Sequence, residues 1–151
     1  MTRPTEPESL DYLFAQVSKL HHTRAHTLLD ALGLYRGQPP LLHALWERDG
    51  RTHTELAQRL QVQPATITKM IQRMEKTGFV ECRPDAEDQR VSRVYLTPVG
   101  RGIESDVRNT WRTLEEETFA GLTAEERGLL RRMLSRMREN LTRANEGSPT
   151  G

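Results

Sequence analysis

The sequence has a single cysteine, Cys82, among 151 residues. An internal disulfide and a CxxC metal site are therefore excluded. Aromatic residues make up only 5% of the chain and hydrophobic residues 35%, which predicts a modest core that would gain from burial against a partner. The sequence also lacks the roughly 20 consecutive apolar residues that span a bilayer, and its first ten residues lack the apolar segment of a signal peptide. We expect a cytoplasmic protein with no membrane segment.

An excess of charge of either sign is missing as well. Lys and Arg number 22 against 21 Asp and Glu, and the net charge is +1. This balance neither requires nor excludes nucleic acid, so an argument for DNA binding must rest on the placement of the charges. The sequence shows no nucleophile–base pair, glycine-rich phosphate loop or paired-histidine metal motif with a general base. We therefore expect neither an enzyme nor a bound cofactor.

The hydrophobic periodicity predicts six helices and one hairpin. Apolar residues recur every three or four positions in residues 9–32, and Gly33 follows as a helix stop. Thr52 with Glu55, and Thr123 with Glu126, read as capping boxes that open helices three and six. Helix four begins at Pro64 and stops at Gly78, and helix five covers residues 98–119. Residues 79–83 and 91–96 favour two strands around a charged loop.

This order of elements predicts a mainly α fold with a small β-hairpin, in which residues 40–97 form a winged helix-turn-helix. The polar termini favour disorder. The predicted organisation is a disordered N-terminus (1–8), an N-terminal dimerisation helix and linker (9–38), a winged helix-turn-helix DNA-binding domain (39–97), C-terminal dimerisation helices (98–144) and a disordered tail (145–151).

The predicted fourth helix has a polar face beside its apolar stripe. In a helix-turn-helix the second helix enters the major groove, where Thr and Gln can bind base edges and Lys and Arg can bind phosphates or guanine. The alternative is an ordinary solvated helix face. The residues predicted to contact DNA here are Gln63, Ala65, Thr66, Thr68, Lys69, Gln72 and Arg73.

The charged loop between the predicted strands can flank the duplex. Arg90 can enter the electronegative minor groove, and Asp88 can pair with it and hold it in place. Asp85, Glu87 and Asp88 can also cap amides of the turn. The alternative is a solvated hairpin tip whose charges only suppress edge-to-edge pairing.

The segment RPDAEDQRVSRVYLTPVGR resembles the wing of the multiple antibiotic resistance regulator (MarR) family, through Arg83, Asp85, Asp88, Arg90 and the closing Leu-Thr-x-x-Gly of residues 96–100. The helix-turn-helix resembles that family as well, and the similarity covers roughly residues 9–143. The resemblance implies a homodimeric transcription regulator that binds a palindromic operator, a repressor released by a small phenolic or lipophilic effector.

The long outer helices support the dimer independently, because their apolar stripes require cover. These stripes run from Leu10 to Leu20 and from Leu129 to Leu141. The alternative is a monomer that folds these helices onto its own winged helix.

Three further groups of residues carry competing interpretations. His43, Trp46, Trp111 and Arg112, with Tyr35, could line an effector pocket, or the tryptophans could be core or interface residues. The histidines of the first helix, His21, His22 and His26, could bind a metal or sense pH, but they lack further ligands, and solvated or interfacial histidines are the default. Cys82 could sense oxidants beside Arg83 or be a plain strand cysteine.

A second function of a different class remains open from the sequence. The winged helix could serve as a protein-interaction module without DNA binding. Lys69, Arg73 and Arg90 argue against that alternative, because a protein-binding surface does not require a minor-groove arginine.

Overall fold

The computed structural model describes residues 9–35 and 37–147. The disorder predicted for residues 1–8 and 148–151 therefore lies outside the described residues. Within these ranges the elements are α1 (Leu10–Asp30), α2 (Gln38–Glu47), β1 (Arg51–Thr52), α3 (His53–Leu60), α4 (Pro64–Lys76), β2 (Val80–Pro84), β3 (Ser92–Leu96), α5 (Pro98–Gly102), α6 (Glu104–Thr118) and α7 (Ala124–Glu146). The predicted winged helix is confirmed.

The chain divides into two compact units, one ending at Leu114 and the other beginning at Glu115. The first unit contains the winged helix. The second contains the end of α6 and all of α7, which continues to Glu146 and so makes the first residues of the predicted tail helical.

The helix ends follow side-chain chemistry that is local in sequence. The capping box at Thr123 is confirmed, with both reciprocal bonds to Glu126 formed. At Thr52 only half of the predicted box forms: the hydroxyl accepts the Glu55 amide at 3.1 Å, but the Glu55 carboxylate pairs with Arg48. A guanidinium offers a carboxylate stronger bonds than a backbone amide does.

The turn between α3 and α4 has a left-handed residue. Gln61 has φ of 54°, the only positive φ of a non-glycine residue within the described ranges. This conformation lets the Val62 amide bond the Ala57 carbonyl at 3.1 Å and ends α3 abruptly. The short connection fixes the angle at which α4 leaves α3.

The core lies where α2, α3 and α4 meet β3. The inner stripe predicted for helix four was Ile67, Met70, Ile71 and Met74: Ile67, Ile71 and Met74 are buried as predicted, whereas Met70 is half-buried and packs against the core. Hydrophobic side chains at most 1% exposed from the rest of the winged helix and from the connection before α2 complete this core: Leu34, Leu41, Leu42, Ala44, Leu45, Leu56 and Val94.

The sheet has three strands in the order β1-β3-β2, all antiparallel, where the sequence predicted two. Arg51 pairs with Val94 in β3, and Cys82 of β2 pairs with Val94 from the other side. The additional strand is only two residues long, too short to show alternation in sequence. It attaches the wing to the helical part of the fold.

Helix five, predicted as one helix over residues 98–119, is instead two helices that separate at Ile103. Thr97 caps the first of them by accepting the Gly100 amide at 3.1 Å. Two glycines in the first turns weaken the helix there. Gly100 also lies against the backbone just before β2, since a Cβ at this position would be 2.1 Å from the Phe79 carbonyl oxygen.

We predict that Gly100→Ala destabilises the fold by at least about 2 kcal/mol, because the added methyl group meets backbone rather than a movable side chain. The Phe79 carbonyl cannot withdraw easily, since it accepts the Thr97 amide at 3.1 Å. Gly102→Ala is the matched control: a Cβ at residue 102 would meet nothing within 4 Å, so we expect equal or higher stability. Urea unfolding of both variants checks this, and an equal free energy of unfolding for the two would contradict it.

Candidate nucleic-acid interface

The exposed face of α4 carries most of the residues predicted to contact DNA. Ala65, Thr66, Lys69, Gln72 and Arg73 are all exposed, on the side opposite the buried stripe. Pro64 occupies the first turn of α4, which suits its fixed φ. The face is polar and begins with small side chains, so another surface can approach the backbone closely at this end of the helix.

Two predicted contact residues have specific local roles. The Thr68 hydroxyl donates to the Pro64 carbonyl at 3.0 Å, so it can only accept from an outside donor, and the residue is half-buried. Gln63 is the N-cap of α4, yet its side chain makes no capping bond, which leaves its amide free for an outside partner. Thr68 therefore offers an acceptor, and Gln63 offers both a donor and an acceptor.

The tip of the wing is organised by two aspartates. The Asp85 carboxylate accepts the Asp88 amide at 3.1 Å, as predicted. Asp88 in turn accepts both the Arg90 amide and the Arg90 Nε at 3.1 Å, so the predicted Asp88–Arg90 pair is present. The Arg90 side chain is nevertheless 91% exposed. The wing therefore exposes the Arg90 guanidinium to solvent, while Asp88 holds the Arg90 backbone amide and Nε in place.

The Asp85 carboxylate is held by a residue that sequence reasoning missed. Arg93 donates its Nε to Asp85 at 2.7 Å and a second nitrogen to the Gly50 carbonyl at 2.8 Å. The Arg93 hydrogen bond, followed by the Asp88 amide, lowers the pKa of Asp85 from its ordinary value. Because the lowered pKa favours the ionised form in the fold, this contact persists at neutral pH and weakens only as the pH falls through the lowered value.

Asp49 attaches the base of the wing to α2. One Asp49 oxygen accepts the Leu96 amide at 2.9 Å, and the other accepts from Arg101 at 2.9 Å. Neither contact was predicted, because the partners are 47 and 52 residues apart in sequence. The wing and the helix-turn-helix are thus connected on the side opposite the tip.

Arg83, one of the residues of the wing motif, belongs to the strand rather than to the tip. It pairs with Glu81, and its guanidinium lies 4.6 Å from the centre of the Tyr95 ring. Such contacts keep the guanidinium against the sheet.

Cys82 is half-buried, with Sγ 3.9 Å from His53 Nε2. Burial first, and then nearby Glu75, raise the pKa of the Cys82 thiol. The thiol therefore stays protonated at neutral pH, which lowers its reactivity because the thiolate is the nucleophile.

A groove of about 420 Å³ lies between α2 and α6 within the first unit, bounded by Pro39, Pro40, His43, Trp46, Glu104, Val107, Arg108 and Trp111. Three of the predicted effector-site residues, His43, Trp46 and Trp111, therefore share one groove. Trp46 is fixed by its Nε1, which donates to the Gly100 carbonyl at 2.9 Å.

Arg112 and Tyr35 do not line this groove. Successive helix residues are about 100° apart, so Arg112 turns away from the face of Trp111. Arg108, three residues before Trp111, lines the groove as its cation instead. Tyr35 lies instead beside Arg73, Lys76 and Thr77.

The histidines of α1 remain exposed. Across residues 9–35 and 37–147, no three or more His, Cys, Asp or Glu side chains are grouped closely enough to hold a metal ion. Among the same described residues, no helix combines the length and hydropathy needed to cross a bilayer.

The arrangement matches known proteins. The model of the MarR family matches residues 34–92. The HTH-type transcriptional regulator TtmR of Methylorubrum extorquens (strain PA1) is 33% identical, over 90% of this chain and 71% of TtmR. The HTH-type transcriptional repressor IacR of Pseudomonas putida is 28% identical, over 87% of this chain and 80% of IacR.

The fold also resembles a solved structure of a protein bound to DNA. A crystal structure of a mutant MarR from E. coli complexed with operator DNA has a TM-score of 0.68 and 27% sequence identity, and the match covers 85% of this chain and 92% of that one. The winged helix-turn-helix, the arginine-tipped wing and the similarity along most of the chain agree with one another, and the chain belongs to the MarR family of transcriptional regulators.

Proposed function

We propose that the protein is a homodimeric, sequence-specific DNA-binding regulator that represses transcription from a palindromic operator and is released by a small effector. The observation that carries this proposal is the attachment of an arginine-tipped wing to the helix-turn-helix through Asp49 and Arg93. Two separate reading elements thereby have a fixed relative position, as binding to two neighbouring grooves requires.

The recognition helix divides its tasks by side-chain type. Gln63, Thr66, Thr68 and Gln72 contact base edges, and Ala65 allows close approach at the start of the helix. Lys69 and Arg73 supply cations for phosphates or guanine, and neither is held by a carboxylate among the described residues. Release of counterions from DNA then favours association.

The wing contributes Arg90, oriented by Asp88, to the minor groove. Without an inserted cation, the carboxylates at the tip would be repelled by DNA. The pairing of Arg90 with Asp88 supports this role, because it holds an exposed arginine that would otherwise lose considerable side-chain entropy on binding.

The dimer is supported by the apolar side chains that the single chain leaves uncovered. On α1, Leu10 is 84% exposed and Leu20 is 69% exposed; on α7, Leu129 is 47% exposed and Leu141 is 56% exposed. Exposed stripes of this length mark an association surface. A twofold dimer also repeats the recognition helix about one DNA turn away, which matches a palindromic operator.

The groove of His43, Trp46 and Trp111 is the effector site of this proposal. Its walls are aromatic and apolar, and Arg108 lies at its edge, paired with Glu104 at 3.0 Å. Such a groove favours a small aromatic or lipophilic compound. Repression is supported by the name of the relative IacR, and DNA binding by the MarR structure with operator DNA. Such a regulator acts in the cytoplasm.

The alternative is a winged-helix protein-interaction module. Purified protein incubated with genomic DNA fragments, followed by sequencing of the retained fragments, separates the two functions. We expect a small set sharing a palindrome. The Lys69→Ala/Arg73→Ala double variant should lose this set, whereas Arg48→Ala/Arg112→Ala, which removes the same charge elsewhere, should keep it. Retention of no fragment by the unaltered protein would refute DNA binding.

We predict that Asp88 and Arg90 are coupled in operator affinity. Arg90→Ala should lose most of the wing's contribution, Asp88→Ala should lose less, and the double variant should resemble Arg90→Ala, since Asp88 then has nothing to orient. Fold stability should change by less than about 1 kcal/mol, as is usual for exposed ion pairs. The measurement is a double-mutant cycle at fixed salt; strictly additive losses would show that Asp88 has no orienting role.

We also predict a dimer of twice the 17.4 kDa chain mass in light scattering. Leu134→Glu should dissociate or unfold it, because a carboxylate would be buried unpaired. Arg132→Glu is the control, since residue 132 lies about 200° around the helix from residue 134. A monomer mass for the unaltered protein at micromolar concentration would contradict the dimer.

A further inference from the structure

A cleft lined by polar side chains lies at the end of α4 away from Gln63. It has a volume of about 410 Å³ and is lined by Tyr35, Arg73, Lys76 and Thr77. Three of these residues belong to the last turn of α4 or its cap, and Tyr35 comes from the connection between α1 and α2. The cleft therefore joins the recognition helix to a segment outside the helix-turn-helix.

Tyr35 is held firmly although its side chain is 55% exposed. Its neighbour Leu34 is buried in the core, and the Tyr35 amide donates to the Gln38 Oε1 at 2.9 Å. Gly37 has φ of 89°, and a Cβ there would lie 3.8 Å from the Met70 side chain of α4. Gly37 thus lies close to the recognition helix, and the Gln38 side chain fixes the backbone of Tyr35.

Gln38 gives a further sign that this turn is constrained. The residue is only 3% exposed, and its Nε2 is buried without a hydrogen-bond partner among the described residues. An unpaired buried amide is unfavourable. The turn tolerates it while the same side chain fixes the Tyr35 backbone.

The side chains that face the cleft are nearly all donors. Neither Arg73 nor Lys76 forms an ion pair with a carboxylate within residues 9–35 and 37–147. The Thr77 hydroxyl is occupied by the Arg73 and Met74 carbonyls. A guanidinium, an ammonium and a phenol hydroxyl remain, and together they suit the oxygens of a phosphodiester.

We propose that this cleft binds a backbone phosphate of the operator, with Tyr35 and Lys76 as phosphate-binding residues beside Arg73. This assignment rests on the proposed DNA-binding function. Lys69, Arg73 and Lys76 are spaced by four and three residues, so they follow one side of α4 over a rise of about 10 Å. When the start of a recognition helix meets base edges, its far end approaches the sugar–phosphate backbone. The cleft lies at that far end.

The two residues have different physical signatures in binding. Lys76→Gln removes a cation, so affinity for all duplexes should fall alike and the slope of log K against log salt should become shallower by about 0.9 per protomer. Tyr35→Phe removes a neutral hydrogen bond, so affinity should fall about threefold to tenfold with no change in slope. Lys19→Gln, an identical change at an exposed position of α1, should alter neither quantity.

The experiment titrates a duplex retained in the genomic pull-down with each variant at several salt concentrations, after circular dichroism confirms folding. A duplex with one neutral methylphosphonate, moved along the flanking backbone, completes it. At one position the methylphosphonate should weaken DNA binding by the unaltered protein, and at that position it should not weaken binding by the Lys76→Gln variant any further. An unchanged slope for Lys76→Gln, or unchanged affinity for Tyr35→Phe, overturns the assignment of that residue. Failure of the unaltered protein to bind any duplex refutes the proposed function and this assignment with it.

Discussion

The turn at Asp49 and Gly50 is the constraint on which the interface depends. Asp49 accepts the Leu96 amide at 2.9 Å, and the Gly50 amide donates to the Val94 carbonyl at 3.0 Å. Two features require glycine at residue 50: its φ is 73°, and a Cβ would lie 2.9 Å from the Tyr95 ring. Through this turn the wing's second strand is bonded directly to the end of α2. A hairpin of two strands is only marginally stable by itself, so the wing takes its orientation from the helical core.

From that turn a series of hydrogen bonds extends outward to the tip of the wing. The Gly50 carbonyl holds Arg93, Arg93 holds the Asp85 carboxylate, and Asp85 caps the turn that contains Asp88. Each contact is short and charge-assisted or made to backbone, so the loop that carries the exposed arginine has few free rotations to lose on binding. The same turn also lies next to α5, since Asp49 pairs with Arg101, and the Gly100 carbonyl of α5 holds Trp46. Trp46, which lines the groove, is therefore connected through α5 to the residue at the base of the wing.

Much of this fold could be predicted from patterns that are local in the amino-acid sequence. The buried stripe of α4 follows from the period of 3.6 residues, and the Asp88–Arg90 pair was predictable because its members are two residues apart. The contacts of Asp49, and the bond from Arg93 to the Gly50 carbonyl, were not predictable, since the partners lie more than 40 residues apart in sequence. The two-residue strand β1 is too short for any periodicity. Arg112 and Tyr35 were predicted to line the groove with Trp46 and Trp111, but they do not line it. The reason is geometric, because neighbours in sequence can occupy different faces of a helix or of a connection.

In the proposed complex, α4 and the wing of each protomer bind DNA as one fixed unit, and a twofold axis repeats that unit. Hydroxyl-radical footprinting of the unaltered protein on its own operator tests this arrangement, because the protection of each sugar shows which strand and which groove the protein covers. We expect two symmetric protected segments centred about one helical turn apart, each flanked on its outer side by protection across a minor groove. A single unsymmetric segment, or major-groove protection without the flanking minor-groove signal, would contradict it.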